Sequence, residues 1–381
     1  MIKINTILIL VIFFSFTIDA QKKILFDNTK SETAGNADWI IDTSEPIPTP
    51  AQSGITSSTS ETFWHGAISA WGVEMAKRGF IIETLPSYSS ITYGTSNSQD
   101  LSNYDVFVVC EPNNQFSGSE KTAIMNFVQN GGGLFMVADH EGADRDGDGW
   151  DAYYAWIDLI TNNSVQNNAF GMIFDVEDYI NDYPCNNIAN RPSDPLLHGV
   201  AGDVSGMEFH GSAAMSINTS DNPSVKAAVY QSGFSNTGTS HVMVAYAEYG
   251  QGRVVGLVDS SPADDGTGDS GDNLYDGWNE IDNGVLITNA TLWLAEDNVG
   301  FESNSSIIQL YPNPNNGKFN ISRTNNKEIN ILIYNISGKL ILNKTFSSEI
   351  LSVDISYFSK GVYFIKVLGN NKIENKKIII K

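Results

Sequence analysis

The sequence is poor in the residues that build small disulfide-rich or zinc-stabilised folds. It has two cysteines, Cys110 and Cys185, and no Cys-x-x-Cys pair, which excludes a disulfide scaffold and a cysteine-rich zinc site. With only 5 histidines, the position of each one is informative. Basic residues are also scarce, with 22 Lys and Arg against 44 Asp and Glu and a formal net charge of -22. Hydrophobic residues still make up 41% of the chain, enough to bury a core, which excludes wholesale disorder.

The negative charge is concentrated in the first 300 residues. Residues 301–381 hold 11 basic and 5 acidic side chains, a net charge of +6. The preceding residues hold 11 basic and 39 acidic side chains, a net charge of -28. A body this acidic repels a phosphate backbone, so we expect no nucleic-acid partner.

Long hydrophobic runs are absent except for a short one near the N-terminus. Lys3 precedes the apolar run from Ile7 to Phe16, and the small residue Ala20 precedes Gln21. This order is typical of a secretory signal peptide, which we predict over residues 1–20. The run falls short of the roughly 20 residues that a membrane span requires, so no transmembrane anchor is expected.

The C-terminal part of the chain changes character after a polar linker at residues 298–308. Short runs with period-2 alternation, separated by turns such as Ser337-Gly338, predict a small antiparallel β-sandwich over residues 309–381. The segment contains, in order, YPNPNNG from Tyr311, IYNISGK from Ile333 and GVYFIKV from Gly361. With these motifs it resembles the type A sorting domain of type IX secretion. An ordinary β-sandwich binding module is the alternative.

The resemblance to a sorting domain has consequences for where the protein acts. It implies passage through the periplasm and recognition by the type IX secretion machinery. The protein is then expected to be secreted or held at the cell surface. Because a sorting domain serves as an address, the chemistry is expected in residues 21–297.

Strands and helices alternate along residues 21–297. Strands are predicted at 22–26, 80–85, 105–110, 134–138, 241–247 and 253–258, and helices at 64–78, 119–128 and 284–294. Ser119 is the expected N-cap of the second helix. This alternation predicts an α/β fold with a doubly wound, mainly parallel sheet.

The body also resembles a known superfamily. Its motifs YDVFVV from Tyr104, NGGGLFMV from Asn130 and GQGRVVG from Gly250 are similar to those of the class I glutamine amidotransferase-like superfamily, especially its ThuA-like branch. The resemblance implies a flavodoxin-like sheet and a nucleophilic Cys in the turn after the Gly-led strand. Here that turn reads Ala138-Asp139-His140, so glutaminase chemistry is not expected. ThuA-like relatives are linked to sugar metabolism, which implies a carbohydrate substrate.

Most of the predicted parallel strands end in a side chain that can move a proton or bind a ligand. Asp27, Glu111, Asp139 with His140, and Asp259 each follow a strand directly. Because ligands of open α/β sheets bind beyond the carboxyl ends of the strands, we expect these groups to converge on one edge. Asp139, His140 and Asp259 are the predicted catalytic residues, and Asp27 and Glu111 are expected to contact substrate. The alternative is that acids are simply common in the loops of this chain.

Two acidic loops are candidate cation sites. Asp144, Asp146 and Asp148, followed by Gly149, match the opening half of a calcium-binding EF-hand loop, although Ala155 stands where the loop requires a bidentate Glu. Asp264 and Asp265 lie in a second loop, which is predicted to bind a cation or the hydroxyl groups of a sugar. Oxygen ligands favour Ca²⁺ over zinc. A solvated acidic turn is the alternative for the first loop, and a flexible flap for the second.

Three further residues are weighed as substrate contacts. Trp150 beside the first acidic loop suits a sugar ring, and His198 is predicted to contact substrate. His198 and His210 lie on loops of an inserted region, where they either reach the site or cap local backbone. Serine hydrolysis is disfavoured because no Gly-x-Ser-x-Gly turn exists.

These patterns lead to two hypotheses. The first is an exported, cation-dependent hydrolase that acts on an extracellular glycan or related polymer, in which a carboxylate or His140 activates water with the help of the metal. The second is a calcium-stabilised carbohydrate-binding or structural module without turnover. The hypotheses differ in whether Asp139 and His140 are needed for turnover by a folded protein.

Overall fold

The computed structural model describes residues 21–41, 52–271, 275–296, 308–323, 329–336, 338–369 and 372–381. The predicted signal peptide, nearly all of the predicted linker and Ser337 lie outside these residues. The chain divides into two compact units, the body and the C-terminal unit, with the boundary between residues 298 and 299. No helix in the described ranges is long and apolar enough to cross a membrane.

The body is built on one large sheet. Its strands are β1 Lys23–Asp27, β2 Ile81–Leu85, β3 Val106–Cys110, β4 Gly133–Val137, β5 Met172–Cys185, β6 His198–Gly199, β7 Gly202–Asp203, β8 Met207–Ile217, β9 Lys226–Tyr230, β10 Val242–Tyr249 and β11 Gly252–Leu257. β6 and β7 form a separate two-stranded ribbon, and the other strands belong to the large sheet. β3, β4 and β11 are buried along their whole length, as their near-continuous apolar sequences predict.

The parallel half of the sheet has the strand order β2-β1-β3-β4-β11. All four strand pairs in this row are parallel. This is the 2-1-3-4-5 order of flavodoxin-like folds, in which the direction of winding reverses between the first and third strands. The predicted doubly wound fold with a mainly parallel sheet is therefore confirmed.

The rest of the sheet is antiparallel. β10 pairs antiparallel with β11, β8 and β9, and β8 pairs antiparallel with β5. The strands predicted at 241–247 and 253–258 are present as β10 and β11, and the turn predicted at Gly250-Gln251 joins them as a hairpin. β5, β8 and β9 were not predicted, because β5 and β8 have mixed polar sequences and β9 is a run of only five residues.

Helices cover both faces of the sheet. They are α1 Ser69–Lys77, α2 Gly118–Gln129, α3 Ala152–Thr161 and α4 Asn283–Ala295. α1 contacts α4 on one face, where Trp71 Nε1 donates to Thr291 Oγ1 at 2.9 Å. α2 contacts α3, where the Lys121 ammonium lies 2.9 Å from Asp158. Each face of the parallel strands is thus sealed by a helix pair, which leaves the strand ends as the place for a site.

Two helix starts differ from prediction. α1 begins at Ser69 rather than Trp64, because Gly66, with a φ of 98°, interrupts the right-handed helical backbone. α2 is capped by Ser117, not Ser119: Ser117 and Glu120 form a capping box in which each side chain accepts from the other's backbone N–H.

The C-terminal unit is an antiparallel β-sandwich. Its strands are β12 Ile308–Tyr311, β13 Lys318–Arg323, β14 Ile329–Asn335, β15 Leu340–Phe346, β16 Ile350–Asp354, β17 Gly361–Gly369 and β18 Lys372–Ile380. They form one sheet in the order β12-β13-β16 and another in the order β15-β14-β17-β18. Alternate side chains such as Ile331, Ile333 and Ile365 form a core separate from that of the body. The predicted small β-sandwich is confirmed, and β12 and β16 are additions to it.

Candidate active site at the carboxyl edge of the sheet

The strand ends predicted to carry chemistry are buried. Asp27 is the last residue of β1, whereas Glu111, Asp139 and Asp259 follow β3, β4 and β11, and none of the four is more than 3% exposed. The β1–β3 junction, where Asp27 and Glu111 lie, is the switch point at which ligands bind in this strand order. Buried carboxyl groups are rare unless paired, so each one's partners need to be identified.

Glu111 is the most constrained residue of this edge. Its φ of 47° lies in the left-handed region, which non-glycine residues adopt at an energetic cost. One carboxylate oxygen accepts from Arg145 Nη1, and the other accepts from Ser260 Oγ at 2.6 Å. Backbone strain of this kind clusters at functional sites.

Arg145 joins carboxyl groups from three parts of the chain. Besides Glu111, its guanidinium approaches Asp139 Oδ2 at 3.8 Å, and its backbone N–H donates to Glu32 Oε2 at 3.3 Å. Sequence analysis missed both Arg145 and Glu32. The only signal for Arg145 was a lone basic residue inside a strongly acidic loop, and Glu32 has no motif at all.

The buried cluster at this edge comprises Glu32, Glu111, Asp139, Asp259 and Arg145. Three of its carboxyl groups have pKa values above the usual range. Burial, followed by the nearby Glu111 and Asp259 charges, raises the pKa of Asp139 well above its usual range. Burial raises the pKa of Asp259 to about 7. Burial, with a smaller contribution from Glu111, raises the pKa of Glu32 to about 7. Perturbed carboxyl groups beside an ion pair are typical of acid–base sites.

Asp259 and Asp27 are held by neighbouring backbone groups. Asp259 accepts the N–H of His210 at 2.6 Å and that of Ser261 at 2.9 Å. Asp27 accepts from Thr29 Oγ1 at 2.7 Å and from the N–H of Lys30 at 2.8 Å, within its own turn. Burial raises the pKa of Asp27 to about 6. Asp259 is therefore tied to the distant strand β8, whereas the hydrogen bonds of Asp27 are local.

The remaining predicted contacts lie in three different settings. The N–H of His140 donates to Asp139 Oδ1 at 2.8 Å, and its Nδ1 lies 2.7 Å from the carbonyl oxygen of Glu141. Trp150 is half-buried against the body core and borders the first acidic loop. His198 lies on the β6–β7 ribbon, 2.9 Å from the exposed carboxylate of Asp203. None of the hydrogen bonds of His198 joins it to the buried cluster.

The first acidic loop brings three carboxylates together. Oxygens of Asp144, Asp146 and Asp148 all lie within 4.8 Å of one another. They also accept backbone N–H groups of the loop, among them Gly149 to Asp144 Oδ2 at 2.8 Å and Trp150 to Asp148 Oδ1 at 2.8 Å. Asp151 closes the loop by accepting the N–H of Asp144 at 2.7 Å. The three carboxylates predicted to bind a cation therefore lie together, in a loop held by hydrogen bonds from its own backbone N–H groups.

Asp264 and Asp265 are buried and do not join that group. Asp265 Oδ2 accepts the N–H of Ala70 at 2.6 Å and so caps α1, whose own N-cap residue Ile68 has no acceptor. Asp264 accepts the N–H groups of Gly266 and Tyr275 at 2.8 and 2.9 Å. Burial raises the pKa of Asp264 to about 7 and that of Asp265 to about 6.

The two cysteines are buried as separate free thiols. Burial raises the pKa of Cys185 to about 12, and its Sγ lies 3.1 Å from the carbonyl oxygen of Tyr230. Burial also raises the pKa of the Cys110 thiol well above its usual range. Since a thiolate is the reactive form of cysteine, neither residue is an activated nucleophile.

Comparison with known families identifies the C-terminal unit. Residues 309–381 match the family described as the secretion system C-terminal sorting domain. This segment is a sorting domain. The resemblance predicted from its three motifs is confirmed, and the protein carrying it is cargo for secretion to the cell surface or beyond. No curated protein matches the chain significantly.

Several solved structures are similar to the body. They include the mmIFT52 N-terminal domain (12% identity, 73% of this chain and 100% of that one, TM-score 0.43) and a ThuA-like protein from Parabacteroides merdae (12%, 72% and 90%, 0.36). An exo-β-1,4-mannosidase from an Opitutaceae bacterium matches at 10% identity over 74% of this chain and 37% of that one, with a TM-score of 0.34. At these scores the assignment of the fold rests on the observed strand order.

Proposed function

We propose that the body is a secreted, cation-dependent hydrolase that acts on an extracellular glycan or related polymer. The observation that carries the proposal is the meeting of Glu111, Asp139 and Asp259, from three strand ends, in one buried cluster with Arg145. Hydrolysis requires one group to take a proton from water and another to give one to the leaving oxygen.

The cluster has groups suited to both steps. Asp259, with a pKa raised to about 7 by burial, can gain or lose a proton near neutral pH. Asp139 is suited to give a proton, because burial and neighbouring negative charge raise its pKa. Glu111, oriented by Arg145 and Ser260, supplies a fixed carboxylate next to them. Separate environments for neighbouring carboxyl groups are how one site provides an acid and a base.

Calcium is the proposed cation. Asp144, Asp146 and Asp148 would hold it with carboxylate oxygens, which are ligands that Ca²⁺ prefers. A bound divalent ion supplies positive charge next to an acidic site. Because Arg145 lies between two of these ligands in sequence, ordering the loop also orders the guanidinium that reaches Glu111 and Asp139.

A neutral glycan is the substrate class that fits the charge. The body has a net charge of -28, and one guanidinium faces several carboxyl groups in the cluster, so polyanions are repelled. Tyr154 and Tyr275 are exposed, at 38% and 36%, and offer ring surface of the kind that stacks on sugars. Tyr153, Trp156 and Trp278 are buried and serve the core instead.

A calcium-stabilised binding or structural module is the second candidate. It is favoured by burial, since Glu111, Asp139 and Asp259 are almost inaccessible and their oxygens already accept internal hydrogen bonds. Such a module would bind glycan without turning it over.

Turnover by the Asp139→Asn variant distinguishes the two candidates. The mature chain, with calcium, is screened against neutral polysaccharides, their O-acetylated forms and p-nitrophenyl acetate, with a polyuronate as the anionic comparison. We expect hydrolysis of a neutral member and a loss of about 100-fold or more in kcat/KM for Asp139→Asn. The matched control is Asp203→Asn, which changes an exposed acid of the β6–β7 ribbon.

Unchanged turnover in folded Asp139→Asn would remove the acid–base assignment. Glycan binding by the wild type without any hydrolysis across the panel would favour the binding module.

A further inference from the structure

His210 is anchored to the cluster through its main chain. It lies on β8, beside the end of β11, where the N–H of Ala213 donates to the carbonyl oxygen of Val258 at 3.2 Å. The His210 N–H donates to Asp259 Oδ2 at 2.6 Å, and its carbonyl oxygen accepts from Ser261 Oγ at 3.1 Å. Two bonds to the segment after β11 therefore fix where this histidine stands relative to Asp259.

The His210 ring has the partner that a proton-transferring histidine needs. Its Nε2 lies 2.6 Å from Glu208 Oε1. Because a carboxylate only accepts, the proton belongs on Nε2 and the lone pair on Nδ1. Among the described residues no hydrogen bond to Nδ1 is found. A carboxylate on one ring nitrogen also stabilises the imidazolium that forms when the other nitrogen takes a proton.

Two tyrosines stack on the His210 ring, one from an earlier part of the chain and one from a later part. Tyr183 stacks on it with ring centroids 4.9 Å apart and an interplanar angle of 29°, and Tyr275 stacks at 4.5 Å and 11°. The side chain of His210 is still 20% exposed, so water and substrate can reach it. Restricting the ring in this way pre-organises it, because no rotamer freedom is lost when a reaction begins.

A carboxylate partner alone does not distinguish His210 from the other histidines. His198 does have a carboxylate partner, but the Asp203 side chain is 85% exposed, so the pair is solvated.

We infer that His210, oriented by Glu208 and held by Tyr183 and Tyr275, is the base that activates water in this site. The inference rests on the proposed hydrolase function. In the reaction, water loses a proton to Nδ1 as its oxygen bonds to the electrophilic carbon of the substrate. The bond from that carbon to the leaving oxygen breaks, and the leaving oxygen takes a proton from Asp139, the acid of the proposed function. The imidazolium then releases its proton to solvent and Asp139 regains one, which restores both groups. Nothing is oxidised or reduced.

Chemical rescue tests the inference. His210→Ala removes a ring that stacks on two tyrosines and leaves space that free imidazole can enter. On the panel member that the wild type hydrolyses fastest, we expect kcat to fall by about 100- to 10,000-fold with KM little changed. Added imidazole is expected to restore part of kcat in a saturable manner. A merely structural role would show no rescue.

The controls separate position from chemistry. His241→Ala removes another stacked histidine, whose ring centroid lies 3.6 Å from that of Phe234. This variant is expected to leave turnover unchanged. Glu208→Gln keeps a hydrogen-bond acceptor but loses the charge, so kcat is expected to fall while its loss is not rescued by imidazole.

The outcomes distinguish this inference from the proposed function. Turnover that requires Asp139 but survives His210→Ala, or is lost without rescue in a folded variant, overturns the role of His210 and leaves the hydrolase standing. Absence of turnover across the whole panel overturns the hydrolase and the base together.

Discussion

At the scale of single residues, the body buries acids whose protons the unfolded chain would release. Burial raises the pKa of Glu32, Asp259 and Asp264 to about 7 and those of Asp27 and Asp265 to about 6. The hydrogen bonds that each of them accepts offset only part of this cost. Buried carboxyl groups that are costly to ionise do not stabilise the fold at neutral pH. Function therefore explains their presence better than stability does.

The stability of the body is therefore expected to fall as the pH rises. Above about pH 4 the unfolded chain has ionised these carboxyl groups while the folded chain still holds their protons. Each such group lowers the free energy of unfolding by up to about 1.4 kcal/mol per pH unit until its folded pKa is reached. Above about pH 7 these groups are ionised in the folded chain as well, so the free energy of unfolding stops falling. Denaturant unfolding in the presence of a chelator, from about pH 4.5 to 7.5, measures the slope.

Asp259→Asn isolates the contribution of one group. At the acidic end of the range the variant is expected to be less stable than the wild type, because the single amide oxygen replaces two carboxylate oxygens that each accept an N–H. Its free energy of unfolding is expected to fall less steeply as the pH rises. Glu248→Gln, an exposed change of the same charge on β10, is the control. Equal slopes in wild type and Asp259→Asn would show that this carboxyl does not hold its proton in the fold.

At the scale of elements, the loop from Asp144 to Asp151 links two features of the site. Its carboxylates face one another within 4.8 Å, and its single arginine extends into the buried cluster. α1 depends in a similar way on a distant segment, because Asp265 supplies the cap that Ile68 cannot. Loops far apart in sequence thus complete each other's hydrogen bonds at this edge.

Calcium is expected to stabilise the protein through this loop. At a free concentration about 100 times the dissociation constant, binding adds about 2.7 kcal/mol to the free energy of unfolding. Asp146→Asn removes one ligand and should abolish most of that gain, while Glu248→Gln should retain it. Thermal melts with calcium and with chelator measure the difference. A wild-type Tm that is the same with and without millimolar calcium would contradict a calcium site in this loop.

At the scale of the whole molecule, two units serve two purposes. The body carries the acidic cluster, and the sorting domain carries the signal for secretion. Their hydrophobic cores share no residues among those described, and their net charges have opposite sign. Separate cores suit a protein whose sorting domain is recognised by the secretion machinery and whose body functions after secretion.

Removal of the sorting domain is expected to leave the body folded. A chain of residues 21–298 should keep a cooperative transition with its Tm within about 2 °C of the body transition in the longer protein, since no core residue is lost. Differential scanning calorimetry of both chains is the measurement. Loss of the transition, or a shift of many degrees, would show that the sorting domain contributes to the stability of the body.

Local patterns in the sequence were enough to predict the central strands, α4, the sandwich and the strand-end acids. Each of these depends on neighbouring residues, such as continuous apolar runs in β3 and β4 or the motifs of the sorting domain. Tertiary structure alone decided which acids meet. It brought Glu32, Arg145 and Ser260 to Glu111, tied His210 to Asp259, and gave Asp265 to α1 as a cap. These contacts join residues far apart in the chain, and hydrogen bonding between buried groups leaves no periodic trace in sequence.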